Sequence, residues 1–313
     1  MTAIDPRVTA ASPFALSRLL QDFPALADSL RGIERAAATE APVLLLGEAG
    51  TGRSTVARAL HGASPRATGP LVEVDPGSIP STLFESELFG YRAGAFTGAD
   101  RASEGRVARA AGGTLVLDHV EELPLSSQPK LLRLVAERRY SPLGGVETEA
   151  DVRFVAIGSE DLPRRVARET FRPDLFYRLE VVAFRLPALR ERRADLPRLV
   201  DALLADLGER FGVRDLHLAP RARAWMLEYS WPGNLRQLRN TLERGLILAG
   251  GEPIDPPPPE DPRETRPRTL LEVEKEQIRN ALAYTRGHQG RAAELLGISR
   301  KALWEKRKRY GIP

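Results

Sequence analysis

The sequence predicts an α/β fold built on a parallel sheet with helices on both faces, followed by a small all-α domain. Three observations carry that prediction. Continuous apolar runs such as Val43-Leu44-Leu45-Leu46 alternate with helix-patterned stretches, which is how strands buried on both faces read. The first run opens into a glycine-rich turn and then directly into a helical stretch, Ser54 to His61. The C-terminal end reads as short helix, glycine turn and basic helix.

The 313 residues suffice for two or three domains. Charged residues make up 28% and hydrophobic residues 42%, a soluble globular balance. The formal charge of +4 decides little as a total, but its placement does: Ser299 to Pro313 holds six Lys or Arg against one Glu. Cysteine is absent, which excludes disulfides, thiol catalysis and cysteine metal sites. No apolar run approaches membrane-spanning length, and Met1 to Ala11 lacks the apolar core of a signal peptide. The expectation is a cytoplasmic protein with no membrane partner.

Residues 1–19 read as a leader. Phe14 to Ala38 is rich in alanine and leucine and helical in pattern, with a break near Pro24. After the first strand comes Gly47-Glu48-Ala49-Gly50-Thr51-Gly52-Arg53-Ser54, continued by Thr55. This is the P-loop pattern with Arg53 where lysine is expected. Its glycines let backbone N–H groups wrap phosphates at a helix N-terminus, and Ser54 is the hydroxyl that P-loops use for Mg²⁺. Leu71 to Asp75 reads as a second strand and Gly112 to His119 as a third. The third closes on Asp118, from which a carboxylate reaches Mg²⁺ through water. Lys130 to Arg138 is an amphipathic helix, and Asp151 to Ile157 and Val181 to Leu186 complete five strands. Strands alternating with helices predict the covered parallel sheet. The cofactors that follow are ATP and Mg²⁺.

Between the second and third strands, Gly94-Ala95-Phe96-Thr97-Gly98-Ala99 has neither helical nor strand periodicity. Glycines on both sides of Phe96-Thr97 suit a mobile loop tip that presents Phe96 to a partner. The string, behind Glu85-Ser86-Glu87-Leu88-Phe89-Gly90, matches the signature loop of the bacterial enhancer-binding proteins, the AAA+ activators of sigma-54 RNA polymerase. In that family the loop touches the sigma factor. The resemblance implies an AAA+ parallel sheet with a helical lid, and the remaining motifs agree in order. Phe171-Arg172-Pro173-Asp174-Leu175-Phe176-Tyr177-Arg178 resembles the arginine-finger segment, in which Arg172 and Arg178 would reach the neighbouring subunit's nucleotide. Trp231-Pro232-Gly233-Asn234-Leu235-Arg236-Gln237 resembles the sensor II stretch, with Arg236 as the residue that would touch nucleotide. Many members carry a sensory domain ahead of the AAA+ module. The span before residue 20 has no room for one, so an input signal is expected through a partner or a ligand.

Gly250 to Arg268 carries seven prolines and reads as a semi-extended linker. Beyond it, Leu270 to Thr285, Arg291 to Leu296 and Arg300 to Tyr310 read as three helices, with Leu271, Ile278 and Leu282 on one face of the first and Ser299 placed to cap the last. The unit resembles the Fis-like domain that ends these activators and is expected to hold double-stranded DNA at an upstream site. Ser299 caps, Arg300 and Lys301 are placed to read bases, and Lys306, Lys308 and Arg309 to hold phosphates. The expected division is a leader at 1–19, an α/β nucleotide-binding subdomain at 20–187, a helical lid at 188–250, a linker at 251–268 and a helix-turn-helix domain at 269–313. The resemblance further implies a homo-oligomer, a hexameric ring, with dimers formed through the DNA-binding domain.

The sequence departs from the family at the groups that act on the attacking water. The family has lysine, glutamate, asparagine, glutamate and asparagine where this chain has Arg53, Ser54, Asp75, His119 and Ser159. Gln237 also stands where glutamate is usual. An arginine for lysine exchange changes donor geometry, and a histidine cannot supply a carboxylate's charge. Three readings stay open: an ATP-driven activator of sigma-54 polymerase, a nucleotide-binding regulator that hydrolyses poorly and works through a sister activator, and a DNA-bound repressor.

Overall fold

The protein is described here as a computed structural model, covering residues 15–213, 215–249, 253–259, 270–285 and 287–310. The chain divides into two bodies, Met1–Pro258 and Pro259–Pro313. Most of the expected leader, and residues 251–252 and 260–268 of the expected linker, lie outside the described residues.

The first body opens with three short helices, α1 (Leu16–Asp22), α2 (Pro24–Ser29) and α3 (Ile33–Ala37). The expected break is at Phe23–Pro24, and a second break falls at Gly32, whose φ of 88° only glycine adopts freely. Then come β1 (Val43–Gly47), α4 (Arg53–Gly62), β2 (Leu71–Val74), α5 (Ser81–Phe89), β3 (Gly90–Tyr91), β4 (Ser103–Glu104), α6 (Arg106–Arg109) and β5 (Thr114–Leu117). They are followed by α7 (Gln128–Glu137), β6 (Arg139–Tyr140), β7 (Thr148–Glu149), β8 (Arg153–Gly158), α8 (Leu162–Ala167), α9 (Pro173–Leu179) and β9 (Val182–Leu186).

The five long strands form a sheet in the order β2-β5-β8-β1-β9, with every neighbouring pair parallel. Alternating side chains explain the continuous apolar runs. Val43 and Leu45 of β1 join Val155, Ile157 and Val116 in the core on one face, while Leu44 joins Leu115, Leu117, Phe154 and Ala156 on the other. Both faces are covered, so apolar residues fill most strand positions; the buried exceptions are Thr114 and Arg153 at the starts of β5 and β8, and Arg153 is bonded to Ala36 O and Ala37 O. Because all strands run the same way, their C-terminal ends place Gly47, Asp118 and Ser159 along one edge of the sheet, where α/β proteins bind ligands.

The lid consists of α10 (Leu196–Phe211), α11 (Pro220–Glu228) and α12 (Asn234–Ala249). It shares a core with the sheet: Trp231, Leu238 and Leu242 are fully buried in the same cluster as Val43 and Leu45. The proline-rich stretch expected as linker from residue 251 is, at its start, part of this body. Ile254 is 1% exposed, accepts from the Ala219 N–H at 3.0 Å and donates to the His217 carbonyl at 2.8 Å. Gly245 on α12 makes room, since a Cβ there would stand 2.6 Å from Ile254 Cγ2. A single isoleucine among prolines is too short for a periodic signal, so composition alone hid this anchor.

The second body is a three-helix unit of α13 (Leu270–Tyr284), α14 (Gln289–Leu295) and α15 (Arg300–Tyr310). Ile278, Ala281, Leu282, Ala292, Ala293 and Leu303 form its core. Gly297 turns the chain with φ 65°, and the Ser299 Oγ accepts from the Ala302 N–H at 3.1 Å, the expected cap of α15. The side chain of Leu271 lies outside the described residues.

Candidate functional site

The glycine-rich turn joins β1 to α4 at the middle of the sheet. Gly50 (φ 78°) and Gly52 (φ 102°) adopt left-handed backbone. Gly50 is also hemmed in, because a Cβ there would stand 2.6 Å from the Gly233 carbonyl oxygen. The loop's carbonyls are bonded within the chain. The Leu235 N–H donates to Gly50 O at 2.9 Å, Asn234 Nδ2 to Ala49 O at 3.0 Å, and the fully buried Arg192 to Thr51 O at 2.7 Å. Glu48 receives both arms of Arg190, at 2.7 and 2.8 Å. Burial lowers Arg192 to about 10, which leaves it charged at neutral pH, and Asp195 works against that fall. Asp195, itself fully buried, accepts from the Ala25 and Leu26 N–H groups at 3.0 Å, so the start of α2 is tied into the same region.

Carbonyls occupied on one side leave the N–H groups at the start of α4 for the other. Gly52 caps that helix without a side chain, so no local group competes for them. This cradle fits a polyphosphate. Ser54 Oγ lies 3.0 Å from Asp118 Oδ2, the hydroxyl–carboxylate pairing that fits a hydrated divalent cation. Arg236 starts from the loop's edge: a Cβ on Gly50 would stand 3.2 Å from Arg236 Cβ.

Two groups behave differently from the sequence expectation. Arg53 is 6% exposed and turned inward: its guanidinium donates to Gly47 O at 2.9 Å and to Gly158 O, bridging the ends of β1 and β8. Burial lowers its pKa, while Asp118 and Glu121 raise it. His119 stands in left-handed backbone (φ 54°), with Nδ1 3.4 Å from Asp75 Oδ1 and 3.7 Å from Asp118 Oδ1. Asp75 thus faces His119, and also accepts from the Gly77 N–H at 3.0 Å.

Sequence reasoning missed Glu121. It is 8% exposed, and its Oε2 accepts from the Ser159 N–H at 3.2 Å. The sequence carried no periodic signal for it: Glu121 and Glu122 are adjacent in the turn after Asp118, and only Glu122 is exposed.

Arg178 is exposed on α9, and Arg172, the residue just before that helix, is half-buried. Arg172 forms a two-armed pair with Asp174, at 3.0 and 2.7 Å, and Arg178 donates to Ala136 O at 2.9 Å. Each arginine is bonded close to home rather than to the glycine-rich turn.

Gly94 to Ala99 forms a folded tip between β3 and β4. Gly94 N–H donates to Ala99 O at 2.8 Å, and Ala99 N–H to Phe96 O at 3.0 Å. Ala99 is buried, whereas Thr97 and Gly98 are exposed. Phe96 is 42% exposed and leans edge-on against Tyr91, with ring centroids 4.9 Å apart. The tip is therefore closed by its own hydrogen bonds, and its aromatic ring is half supported.

On α15 the exposed residues are Arg300, Lys301, Trp304, Glu305, Lys308 and Arg309. Lys306, expected to hold phosphate, is turned to α13, where its ammonium pairs with Glu274, as does the Tyr310 hydroxyl. It is a strut of the bundle, and the helical period explains why: it lies three residues from the buried Leu303.

A five-stranded P-loop sheet carrying a helical lid, with a separate helix-turn-helix body, defines an AAA+ transcription regulator. Residues 19–185 match the family described as the Sigma-54 interaction domain, 190–259 the AAA+ ATPase lid domain, and 269–310 the bacterial regulatory protein, Fis family. The chain belongs to the sigma-54 interaction family, the bacterial enhancer-binding proteins. It is 40% identical over 312 residues to the regulatory protein AtoC of Escherichia coli, covering 94% of this chain and 68% of that protein. The DNA-binding transcriptional regulator NtrC of Salmonella typhimurium is 37% identical over 329 residues, 94% of this chain and 70% of that one. The crystal structure of NtrX from Brucella abortus superposes with a TM-score of 0.71 at 34% identity, covering 95% of this chain and 72% of NtrX. NtrX in complex with ATP gives 0.70 at 36% identity, covering 92% and 68%. The chain spans about two thirds of the length of the curated relatives it matches. Among the described residues no helix is long and apolar enough to cross a membrane.

Proposed function

We propose that this chain is a sigma-54-interacting transcription regulator that binds ATP, assembles as a ring and engages sigma-54 RNA polymerase from an upstream DNA site. Backbone N–H groups of residues 50–54 hold the phosphates, and Ser54 and Asp118 hold Mg²⁺ through water. Arg236 closes over the nucleotide from the lid. Arg172 and Arg178 serve the neighbouring subunit's site. When bound, ATP supplies the phosphoanhydride whose cleavage drives remodelling. The Gly94–Ala99 tip meets the sigma factor, and α15 meets DNA.

A second reading concerns rate: hydrolysis is slow. The observation that carries it is the inward posture of Arg53, whose Nη1 donates to both Gly47 O and Gly158 O. Arg53 then braces the ends of two strands instead of following the transferring phosphoryl group. His119, set against Asp75, replaces the carboxylate that would orient water. Loss of positioned acid–base help lowers rate by about 10²–10⁴. Binding relies on the backbone cradle and survives. The test is steady-state ATPase over a range of protein concentrations, alongside affinity for a fluorescent ATP analogue. Tight binding with turnover depressed at every concentration supports slow hydrolysis, whereas turnover that climbs to an ordinary rate as rings assemble refutes it. Absence of nucleotide binding would refute the ATP site itself.

A further inference from the structure

The second body has few apolar residues to spend, yet its tryptophan is left outside. Trp304 is 55% exposed, halfway along the exposed face of α15. Leu303 beside it fills the core and Lys306 is committed to Glu274, so the helix has used its inner face already. Arg300, Trp304 and Lys308 follow at four-residue spacing and lie in one line along the helix. The Lys308 ammonium sits 5.3 Å from the centre of the indole ring, which restrains the ring on this face. The face carries four cations, Arg300, Lys301, Lys308 and Arg309, against the single Glu305. A second copy of the chain docking here would oppose like charges. A polyanion would not.

We propose that Trp304 reads thymine in the major groove by packing its indole on the 5-methyl group. This rests on the reading of α15 as the helix that enters DNA. The chemistry is selective because the thymine methyl is the apolar feature of the major-groove edge, where the other bases offer hydrogen-bond donors and acceptors. The position is suitable as well, since residues in the first turns of a recognition helix reach base edges. Lys308 has a double task, holding the indole and lying toward the backbone phosphates. Trp304 is thus a specificity residue, and the flanking cations supply affinity that does not depend on sequence.

The experiment uses the full-length chain. A duplex is selected from random sequence by the wild-type protein, and each thymine in it is then replaced in turn by deoxyuridine, which lacks only the methyl group. The expected result is one thymine per half-site at which the replacement weakens wild-type binding about fourfold, the value of one buried methyl group. The same replacement leaves Trp304→Ala unaffected, while the salt dependence of binding is equal for the two proteins. Trp304→Phe, which keeps an apolar ring, retains part of the penalty and guards against a misfolded alanine variant. If both proteins bind and no deoxyuridine position separates them, the thymine assignment is wrong although α15 still holds DNA. If neither protein binds any duplex, the reading of α15 fails and takes the inference with it. A fall in molecular mass for Trp304→Ala in sedimentation, with DNA discrimination intact, would place Trp304 in a contact between copies and overturn the inference.

Discussion

Replacing Asn234 tests whether the lid is mechanically joined to the glycine-rich turn. Asn234 is fully buried at the start of α12, in left-handed backbone with φ 53°. Its Oδ1 accepts from the Leu189 N–H at 2.7 Å, and its Nδ2 donates to Ala49 O at 3.0 Å and Glu48 Oε2 at 3.2 Å. In Asn234→Ala the Leu189 N–H loses its partner inside the core, because Leu189 is fully buried. Such a loss costs about 1–3 kcal/mol. Ala49 is exposed, so water can serve its carbonyl. Alanine in left-handed backbone adds about 1–2 kcal/mol, for a total loss of about 2–5 kcal/mol. Asn234→Gly removes the same hydrogen bonds but accepts the backbone. It should be better than alanine by about 1 kcal/mol, after the entropy that glycine forfeits. Asn234→Asp keeps the acceptor for Leu189 and sets a carboxylate beside Glu48, which gives an intermediate loss. Urea unfolding, followed by Trp225 and Trp231 emission in a Trp304→Phe background, measures the series. Since Arg236 lies two residues along α12, ATP affinity should fall in parallel. An alanine loss below about 1 kcal/mol, or glycine no better than alanine, would refute the reasoning.

Four further outcomes are expected. Arg53→Lys with His119→Glu raises ATP turnover in assembled protein, and adding Arg172→Ala removes the gain; a double variant with no gain would move the block to Asp75, Glu121 or Ser159. Thr97→Ala, at the exposed part of the loop tip, loses capture of purified sigma-54 while nucleotide affinity is kept, and undiminished capture refutes the loop assignment. Lys308→Ala reduces the slope of DNA affinity against salt by about one unit, whereas Lys306→Ala leaves the slope alone and lowers the melting temperature of the helical body; equal slopes for both would contradict the inward placement of Lys306. Burial and nearby Arg153 hold His61 below its ordinary value of 6.5. The unfolded chain therefore takes up a proton first as pH falls, so stability is full above pH 6.5 and declines below it. His61→Gln, which can still bond Thr114, should flatten that decline, and a decline of unchanged size would rule out His61 as its source.

Much of the fold was legible because it depends on local rules. The apolar runs at residues 43–46, 115–117 and 154–157 announce a sheet covered on both faces, and Ser299 with Gly297 announces the turn before α15. The positions of the candidate site residues were legible for the same reason: strands that run in parallel bring Gly47, Asp118 and Ser159 to one edge. What the sequence did not disclose is side-chain direction. Arg53 occupies the lysine position but turns its Nη1 to Gly47 and Gly158, a choice made by carbonyls 6 and 105 residues away. Lys306 and Lys308 look alike in a basic run, and the helical period separates them only once the face of α15 that holds Leu303 is known to be the inner one. Ile254 and Glu121 have no periodic neighbours, so their burial follows from tertiary contacts alone.

The pairing of Arg172 with Asp174 carries a consequence for recruitment. Any anion that draws Arg172 away must replace two hydrogen bonds at once, since both arms of the guanidinium are engaged. A group presenting two or more oxygens in the same plane can take over both arms together, and Asp174 then keeps only the Leu175 N–H, at 2.8 Å. The exchange acts as a filter on chemistry rather than on shape, and it returns Arg172 to its own chain whenever the competing oxygens leave.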